Sequence, residues 1–252
     1  MRDGASGPPG MTVVSRADPG PFAGILAHVA TSRPRARKRA RSREPVGLTH
    51  ERVRHEALRL IDEEGIEEFS TRKLGRALGC EAMAIYWYYP SKEALLDAVV
   101  DLLVSGIAPA GGPPARNWVE ALRRVAHAYR GIAHAHPRAF PLLATRRFAT
   151  PGAYAFLEQL FEMAHAQGVP DRTTARFFRA VSAYCSGVAL DELAGARHQG
   201  EAGEEAGALR ASFPRVAAVA RWLEPRHDDE TFEFGLEILL DALARTARRA
   251  RT

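Results

Sequence analysis

The sequence is poor in cysteine and has no long apolar run. Its two cysteines, Cys80 and Cys185, cannot form a disulfide framework and belong to no paired metal motif, which is typical of a reducing cytosol. No apolar run approaches the ~20 residues that a membrane-spanning helix requires. The start has no apolar core after its first arginine, so we expect no secretory signal. These absences predict a cytoplasmic protein without a membrane partner.

Signatures of catalysis are also missing. We recognise no Ser-His-Asp order, no glycine-rich phosphate loop and no close carboxylate pair. Four histidines lie between residues 127 and 165, but no adjacent carboxylate or cysteine completes a zinc ligand set. They are His127, His134, His136 and His165. The sequence therefore favours a protein that is not an enzyme and holds no metal or cofactor.

The net charge of +5 is concentrated at the start of the chain. Residues 1–46 carry nine Arg or Lys against three acidic residues, and seven of these positive charges lie between Arg33 and Arg43. We predict that residues 1–46 are a disordered basic extension. Such a segment can follow DNA phosphates or enter a narrow minor groove, and the alternative is a charged tail that is only solvated.

Residues 48–101 contain the pattern of four successive helices. In the first, Val53, Ala57, Leu60 and Ile61 recur at helical spacing, and Gly65 ends it. Ser70 is expected to cap a short second helix, whose apolar side is predicted from three residues. These are Leu74, Ala77 and Leu78.

A tight turn and a third helix follow. Gly79 can adopt the positive φ that a steep junction between two helices requires. The third helix is predicted over 81–88 with Ile85 in the core, and Pro90 and Ser91 then lead into a fourth helix. An isolated α-helix of this kind fits the major groove of DNA. The pattern indicates a helix-turn-helix.

These residues closely resemble the TetR family of bacterial repressors. The runs GIEEFSTRKLGRALG and IYWYYPSKEALLDAV share the family's helix order, turn glycine and aromatic placement over roughly fifty residues. The resemblance implies that Thr71 and Arg72 contact DNA from the second helix and that Lys92 contacts a phosphate. On the third helix it implies contacts from Ala82, Met83, Ala84, Tyr86, Trp87 and Tyr88.

Two features of these positions bear on specificity. Ala82 and Met83 are apolar where a base reader would carry an amide or guanidinium, so base choice must rest on Arg72, on thymine methyl groups and on DNA shape. Positive residues still outnumber Glu81 around the motif, so its groove-facing side can be positive. They are Arg72, Lys73, Arg76 and Lys92. The alternative role for Tyr86, Trp87, Tyr88 and Tyr89 is core packing.

The rest of the chain predicts more helices and no convincing strand. The fourth helix runs from Ser91 to Gly106, and the linker from Ala108 to Ala115 ends the helix-turn-helix domain at 47–107. Residues 116–252 form a second helical domain. Its helices are expected at 117–136, 152–167, 171–194 and 229–248, with a bent connection at 139–151 and a mobile loop at 198–208. The helix from Asp171 is expected to pack through Phe177, Val181, Tyr184, Val188 and Leu190. The fold class is therefore all-α, with an N-terminal three-helix helix-turn-helix domain and a C-terminal ligand-binding and dimerisation domain.

Two long late helices are what a four-helix dimer interface needs, although an intramolecular core would use the same pattern. We also expect a mainly apolar effector pocket between the helices that contain Gly106, Trp118, Phe156 and Tyr184. Its candidate lining residues are Leu103, Trp118, Leu122, Tyr129, Phe148, Phe161 and Tyr184. Core packing is the alternative role for each of them, because pockets and cores share one composition.

The resemblance also argues against magnesium-tetracycline as the effector. Tetracycline-responsive members of the family bind the ion through a histidine before a Thr-Arg pair, and here Leu142 or Leu143 stands in that place. Asp191 falls on the family's second, acidic position. The sequence thus indicates a homodimeric repressor that binds an operator in double-stranded DNA and releases it when an apolar small molecule binds. The alternative is a cytosolic carrier or enzyme with a vestigial helix-turn-helix.

Overall fold

The computed structural model describes residues 47–107, 115–146, 150–198 and 212–249, which are helical and contain no strand. The predicted basic extension, the linker at 108–114, Phe148 and the loop from 199 lie outside these residues. The helices are α1 (His50–Glu64), α2 (Thr71–Leu78), α3 (Ala82–Tyr88), α4 (Lys92–Ser105), α5 (Trp118–Ala135), α6 (Phe140–Arg146), α7 (Pro151–Ala166), α8 (Asp171–His198), α9 (Pro214–Ala220) and α10 (Asp228–Arg249). A 3₁₀ turn at Pro225–His227 precedes α10.

Side-chain caps start three of the first four helices. Thr49 accepts a hydrogen bond from the Arg52 amide at 3.0 Å, and Ser70 and Ser91 cap α2 and α4 in the same way. Each cap satisfies an amide that would otherwise have no partner at a helix N-terminus. The helix boundaries near 50, 71 and 92 therefore follow from local chemistry.

The junction between α2 and α3 depends on two glycines for different reasons. Gly79 has φ +68°, in the left-handed region, and ends α2 as predicted. Gly75 has ordinary helical geometry, but a Cβ there would lie 2.8 Å from the Cys80 carbonyl oxygen and 3.1 Å from the Ala82 amide nitrogen. The bare Gly75 backbone thus allows α3 to begin directly against α2.

The fourth helix connects the two halves of the molecule. It packs on α1 on one side and on α6 and α7 on the other. Six of its apolar residues are at most 5% exposed, among them Leu95, Val99 and Leu103. Polar contacts add to this packing, because Arg146 on α6 donates to Asp97 at 3.0 Å and His136 lies 2.7 Å from Asp62 on α1.

The second half is a bundle in which α5 packs against both α8 and α10. Arg130 on α5 forms an ion pair with Glu192 on α8 at 2.9 Å and another with Asp229 on α10 at 2.8 Å. Burial disfavours the charged guanidinium, but the hydrogen bonds that it donates to these carboxylates outweigh this effect and raise the pKa of Arg130. This well-paired charge fixes the start of α10 against the other two helices.

Helices α8 and α10 approach closely at Gly235. The Tyr184 ring lies there, and its hydroxyl donates to the Thr231 and Phe232 carbonyl oxygens at 3.0 and 2.9 Å. A Cβ on Gly235 would come within 2.3 Å of that hydroxyl oxygen. The contact therefore needs glycine for space, not for backbone conformation.

The structure corrects the sequence interpretation at four places. The bent connection at 139–151 contains α6, whose Phe140 and Leu143 are fully buried. Ala77 is exposed, because it turns away from the α2 face that buries Leu74. Leu190 is 42% exposed and does not join the core. Helix α9 was not predicted, and it buries none of its residues, so the usual pattern of a packed face is absent.

Candidate DNA-binding surface and effector cavity

Helix α3 has one buried and one exposed side. Ile85 is 1% exposed and anchors the helix in the core, whereas Met83 and Trp87 are 71% and 47% exposed. Ala82 and Ala84 are partly exposed on the same helix. Met83 and Trp87 therefore lie outside the core, and this side of α3 is the candidate contact surface.

Neighbouring cations on α2 differ in their partners. Lys73 binds Glu64 at 2.6 Å and Glu68 at 3.3 Å, and the hydrogen bond that it donates to Glu64 is the main cause of its raised pKa. Lys73 is therefore neutralised by acidic residues, which corrects its assignment to a positive groove-facing side. Arg72 is exposed and makes no ion pair or hydrogen bond with a residue that the structure describes. Its guanidinium is available to a base or phosphate.

Thr71 and Lys92 border α3 at its two ends. The Thr71 and Tyr86 hydroxyls lie 3.4 Å apart, so α2 and α3 present two hydroxyls side by side. Lys92 donates to the Phe69 carbonyl oxygen at 2.9 Å and lies over the Phe69 ring. An ammonium has three N–H donors, so one such bond leaves capacity for a phosphate.

Tyr88 does not share the exposed side of α3. It is only 9% exposed, and its hydroxyl donates to the Leu48 carbonyl oxygen at 3.0 Å. Tyr89 donates to the His50 carbonyl oxygen at 2.8 Å, and burial raises the pKa of this phenol. The assignment of Tyr88 as a DNA contact is therefore corrected to a packing role. The two tyrosines tie residues 48–50 to the end of α3.

An apolar cavity lies in the second half, between α4, α5, α6, α7 and α8. Its volume is about 50 Å³, and its wall includes Val104 at the end of α4 and Ile107 just after that helix. The other described lining residues are Leu122, Val125, Ala126, Tyr129, Leu143, Ala153, Phe156, Leu157, Phe178, Val181, Ser182 and Cys185. Burial raises the pKa of the Cys185 thiol to about 12, so it stays protonated at neutral pH.

The predicted pocket residues divide into two groups. Leu122 and Tyr129 line the cavity, and so does Leu143, one of the two leucines that stand where the resemblance expects a metal-binding histidine. Four predicted residues are not among the described lining residues, namely Leu103, Trp118, Phe161 and Tyr184. Leu103 and Trp118 are core, Phe161 packs edge-on against Phe178, and Tyr184 packs at Gly235. Phe148 lies outside the described residues. Composition could not separate these residues because core and cavity wall share it.

The late helices leave a second apolar surface uncovered. On α8, exposed residues recur at alternating spacings of three and four, namely Ala180, Ala183, Gly187 and Leu190. On α10, Thr231, Phe234 and Ile238 follow the same rule, and Phe234 is 72% exposed. This spacing is that of an interhelical seam. We call these seven residues the late-helix seam.

Two absences hold across the part of the chain that the structure describes. No helix there is long and apolar enough to cross a membrane. No group of three or more His, Cys, Asp or Glu side chains there is arranged to hold a metal ion.

The geometry defines a class of protein. The helix-turn-helix, whose helix α3 has an exposed side, is joined by α4 to a helical domain that contains an apolar cavity. This is the architecture of one-component transcriptional regulators, in which one chain combines a DNA-binding domain with a ligand-binding domain.

Comparison with known proteins identifies the family within this class. Residues 53–99 match the family described as bacterial regulatory proteins, tetR family, and residues 110–247 match the tetracyclin repressor-like C-terminal domain. The chain belongs to the TetR family of transcriptional regulators. It is a ligand-responsive transcriptional repressor of that family.

Individual relatives agree with this assignment. An HTH-type transcriptional repressor of Mycobacterium tuberculosis is 31% identical over 204 residues, which is 75% of this chain and 77% of the relative. A possible TetR family regulator of Streptomyces coelicolor has a similar structure, with a TM-score of 0.66, 29% identity, and coverage of 79% and 100% of the two chains. The ActR protein of S. coelicolor, solved with actinorhodin, has a TM-score of 0.62 at 26% identity and covers 79% and 98%.

Proposed function

We propose that this repressor binds a palindromic operator as a homodimer and releases it when an uncharged apolar molecule enters the cavity. The observation that carries the proposal is the path of α4. This helix begins at Lys92, directly after the reader helix, and its C-terminal end supplies Val104 and the adjoining Ile107 to the cavity wall. One helix therefore contacts both functional regions.

On the DNA side, Arg72 and the exposed side of α3 read the major groove. Arg72 takes a guanine through its paired N–H donors, while Met83 and Ala84 contact thymine methyl groups. Thr71, Tyr86 and Lys92 contact the backbone, which positions the reader without specifying a sequence. Trp87 lies at the rim of this surface, where its half-exposed ring can pack on a sugar.

The homodimer is supported by the late-helix seam. Paired with a second copy, α8 and α10 form a four-helix interface in which the small residues of α8 allow close approach to the exposed Phe234 and Ile238. Two-fold symmetry then places two readers ~34–36 Å apart, one helical turn of DNA. A palindromic operator follows from that symmetry.

The switch is a change in the separation of the two readers. The ligand binds best to the conformation in which the C-terminal end of α4 is displaced, and so it favours that conformation. The helix-turn-helix moves with α4. A tenfold release of DNA requires ~1.4 kcal/mol of differential affinity between the two states. The Asp62–His136 and Asp97–Arg146 contacts are the polar links that this motion must rearrange.

The domain assignment is part of the proposal. Residues 47–107 form the DNA-binding domain, 116–252 form the effector and dimerisation domain, and 1–46 form a basic arm that follows phosphates. The arm is supported by its seven positive charges at 33–43 and by Tyr88 and Tyr89, which hold the backbone just after it against α3. Deletion of residues 1–44 should weaken binding to all DNA sequences and flatten its salt dependence.

Selection of bound sites from random duplex DNA tests the proposal. The expected product is a two-fold-symmetric consensus with half-sites one helical turn apart. A pool without consensus would support the alternative, a carrier or enzyme with a vestigial helix-turn-helix, which the family assignment does not favour. A ligand that binds the cavity tightly yet leaves operator affinity unchanged would reject the switch while leaving the DNA-binding part intact.

A further inference from the structure

The wall of the effector cavity carries no charge among the residues that the structure describes there. Three of the fourteen lining residues bear polar groups, namely Tyr129, Ser182 and Cys185. A charged ligand in such a space would lose its hydration without gaining a counter-charge, which is a large free-energy cost. The chemistry of the wall therefore selects neutral molecules.

The three polar groups differ in what they can offer a ligand. The Tyr129 hydroxyl lies 3.0 Å from Ser186 Oγ and is already engaged. The Cys185 thiol is protonated and is at best a weak donor. The Ser182 hydroxyl makes no hydrogen bond with any residue that the structure describes, although it can donate one bond and accept two. Ser182 is the strong hydrogen-bonding group left to a ligand.

The rest of the wall favours a ring. Tyr129, Phe156 and Phe178 contribute aromatic side chains from α5, α7 and α8, and aromatic pairs stack or meet edge to face. The cavity volume of about 50 Å³ corresponds to only a few water molecules at ~10–15 Å³ each. Larger ring systems must displace a wall residue, whereas a single ring needs the least rearrangement.

We propose that the cavity binds a neutral single-ring aromatic molecule with one hydroxyl group, a phenol, and that Ser182 recognises the hydroxyl. This inference rests on the proposed effector function of the same cavity. The ring packs among the three aromatic side chains, and the phenol hydroxyl exchanges hydrogen bonds with Ser182 Oγ. Ser182 is thus a specificity-determining residue on α8, one helical turn before Ser186.

The experiment is a double-mutant cycle between protein and ligand with the full chain. Isothermal titration calorimetry compares p-cresol with toluene, which lacks only the hydroxyl, on the native protein and on Ser182→Ala. The expected result is a cresol-to-toluene affinity ratio about 3- to 10-fold lower in Ser182→Ala, because a neutral hydrogen bond contributes modestly to binding. Ser182→Thr retains the hydroxyl and should preserve the native ratio. Thr246→Ala, at an exposed hydroxyl on α10, controls for a general effect of the substitution.

A third ligand tests neutrality. Benzoate is only one heavy atom larger than p-cresol but carries a charge, and it should not bind at pH 7 because the wall offers no counter-charge. Equal binding of the benzoate, an unchanged ratio in Ser182→Ala, or no binding of either neutral ligand would each overturn the proposal. Operator affinity without ligand is measured in parallel on the same preparations. A failure of the repressor function appears there, separately from a failure of phenol recognition.

Discussion

The helix-turn-helix region exposes few large apolar side chains, whereas the late helices expose many. Among residues 47–107, the large exposed hydrophobics are Met83 and Trp87, both on α3. Among the described residues between 190 and 238 there are eight, from Leu190 to Ile238, on or beside α8, α9 and α10. The first region buries its core within one chain and exposes only the side of α3 that we propose contacts DNA, whereas we propose that the second is completed by another copy of the chain.

This contrast separates two kinds of contact surface. Ser70 and Ser91 cap the helices before and after α3, and Tyr88 and Tyr89 donate to the backbone of residues 48–50. The exposed Met83 takes no part in these contacts, and we assign it to the proposed DNA surface. On α8 and α10 the exposed residues repeat at seam spacing over several turns, which a DNA contact does not require. The predictions below test whether the two surfaces are as independent as this contrast implies.

The largest effect is expected at the late-helix seam. Phe234→Glu combined with Ile238→Glu should give a monomer, since two carboxylates cannot be buried unpaired in the interface. Operator affinity should fall about 10²- to 10⁴-fold through loss of the second half-site. Light scattering gives the mass and fluorescence anisotropy gives the affinity. Ala155→Glu with Gln159→Glu, equally spaced on exposed positions of α7, should change neither.

The next effect distinguishes the two glycines of the helix-turn-helix. Gly75→Ala should lower the free energy of unfolding by ~2–3 kcal/mol because the new methyl meets backbone atoms of Cys80 and Ala82. Gly79→Ala meets no atom within 4 Å and should cost only ~1–2 kcal/mol of left-handed strain. Chemical denaturation measures both. A larger cost at Gly79 would show that the close approach of α3 to α2 is not the limiting constraint.

A smaller effect, confined to sequence preference, is expected from Arg72→Ala. Loss of a paired guanidinium contact should reduce discrimination at one base pair of each half-site by ~1–3 kcal/mol. Lys73→Ala is the matched control, because Lys73 already binds Glu64 and Glu68. Binding to a library of single-base operator variants measures the preference. Equal loss in the two variants would contradict the assignment of Arg72 as the reader.

The smallest effect concerns the tie between α3 and the residues before α1. Tyr88→Phe removes the hydrogen bond to the Leu48 carbonyl oxygen and should cost ~0.5–1.5 kcal/mol of stability. If Tyr88 packs and does not contact DNA, base preference and the salt dependence of operator binding stay unchanged. A changed base preference in a Tyr88→Phe variant that keeps native stability would show that Tyr88 contacts DNA.

Local chemistry explains which parts of the fold could be predicted from the sequence alone. Caps at Thr49, Ser70 and Ser91 and the turn at Gly79 act within a few residues, so the pattern of α1 to α4 was predictable. Tyr88 could not be placed this way, because its partner Leu48 lies forty residues away in the chain. The exposed α9 has no buried face to produce a pattern.

The cavity shows the same limit. Leu122 and Tyr129 were predicted in its wall, but Ser182 and Cys185 were not, because small polar residues on a long helix carry no periodic signal. Trp118 is an apolar residue of the expected kind and proved to be core, with 1% exposure. Only tertiary packing decides which apolar side chains border a void.

Native mass spectrometry of the protein on a duplex recovered by selection tests the central claim most directly. If the late-helix seam holds two DNA-binding domains together, two copies of the 27.6 kDa chain should bind each palindromic duplex. At the same concentration, no copy should bind a duplex in which one half-site is scrambled. One copy per duplex, or equal loading of both duplexes, would contradict the account.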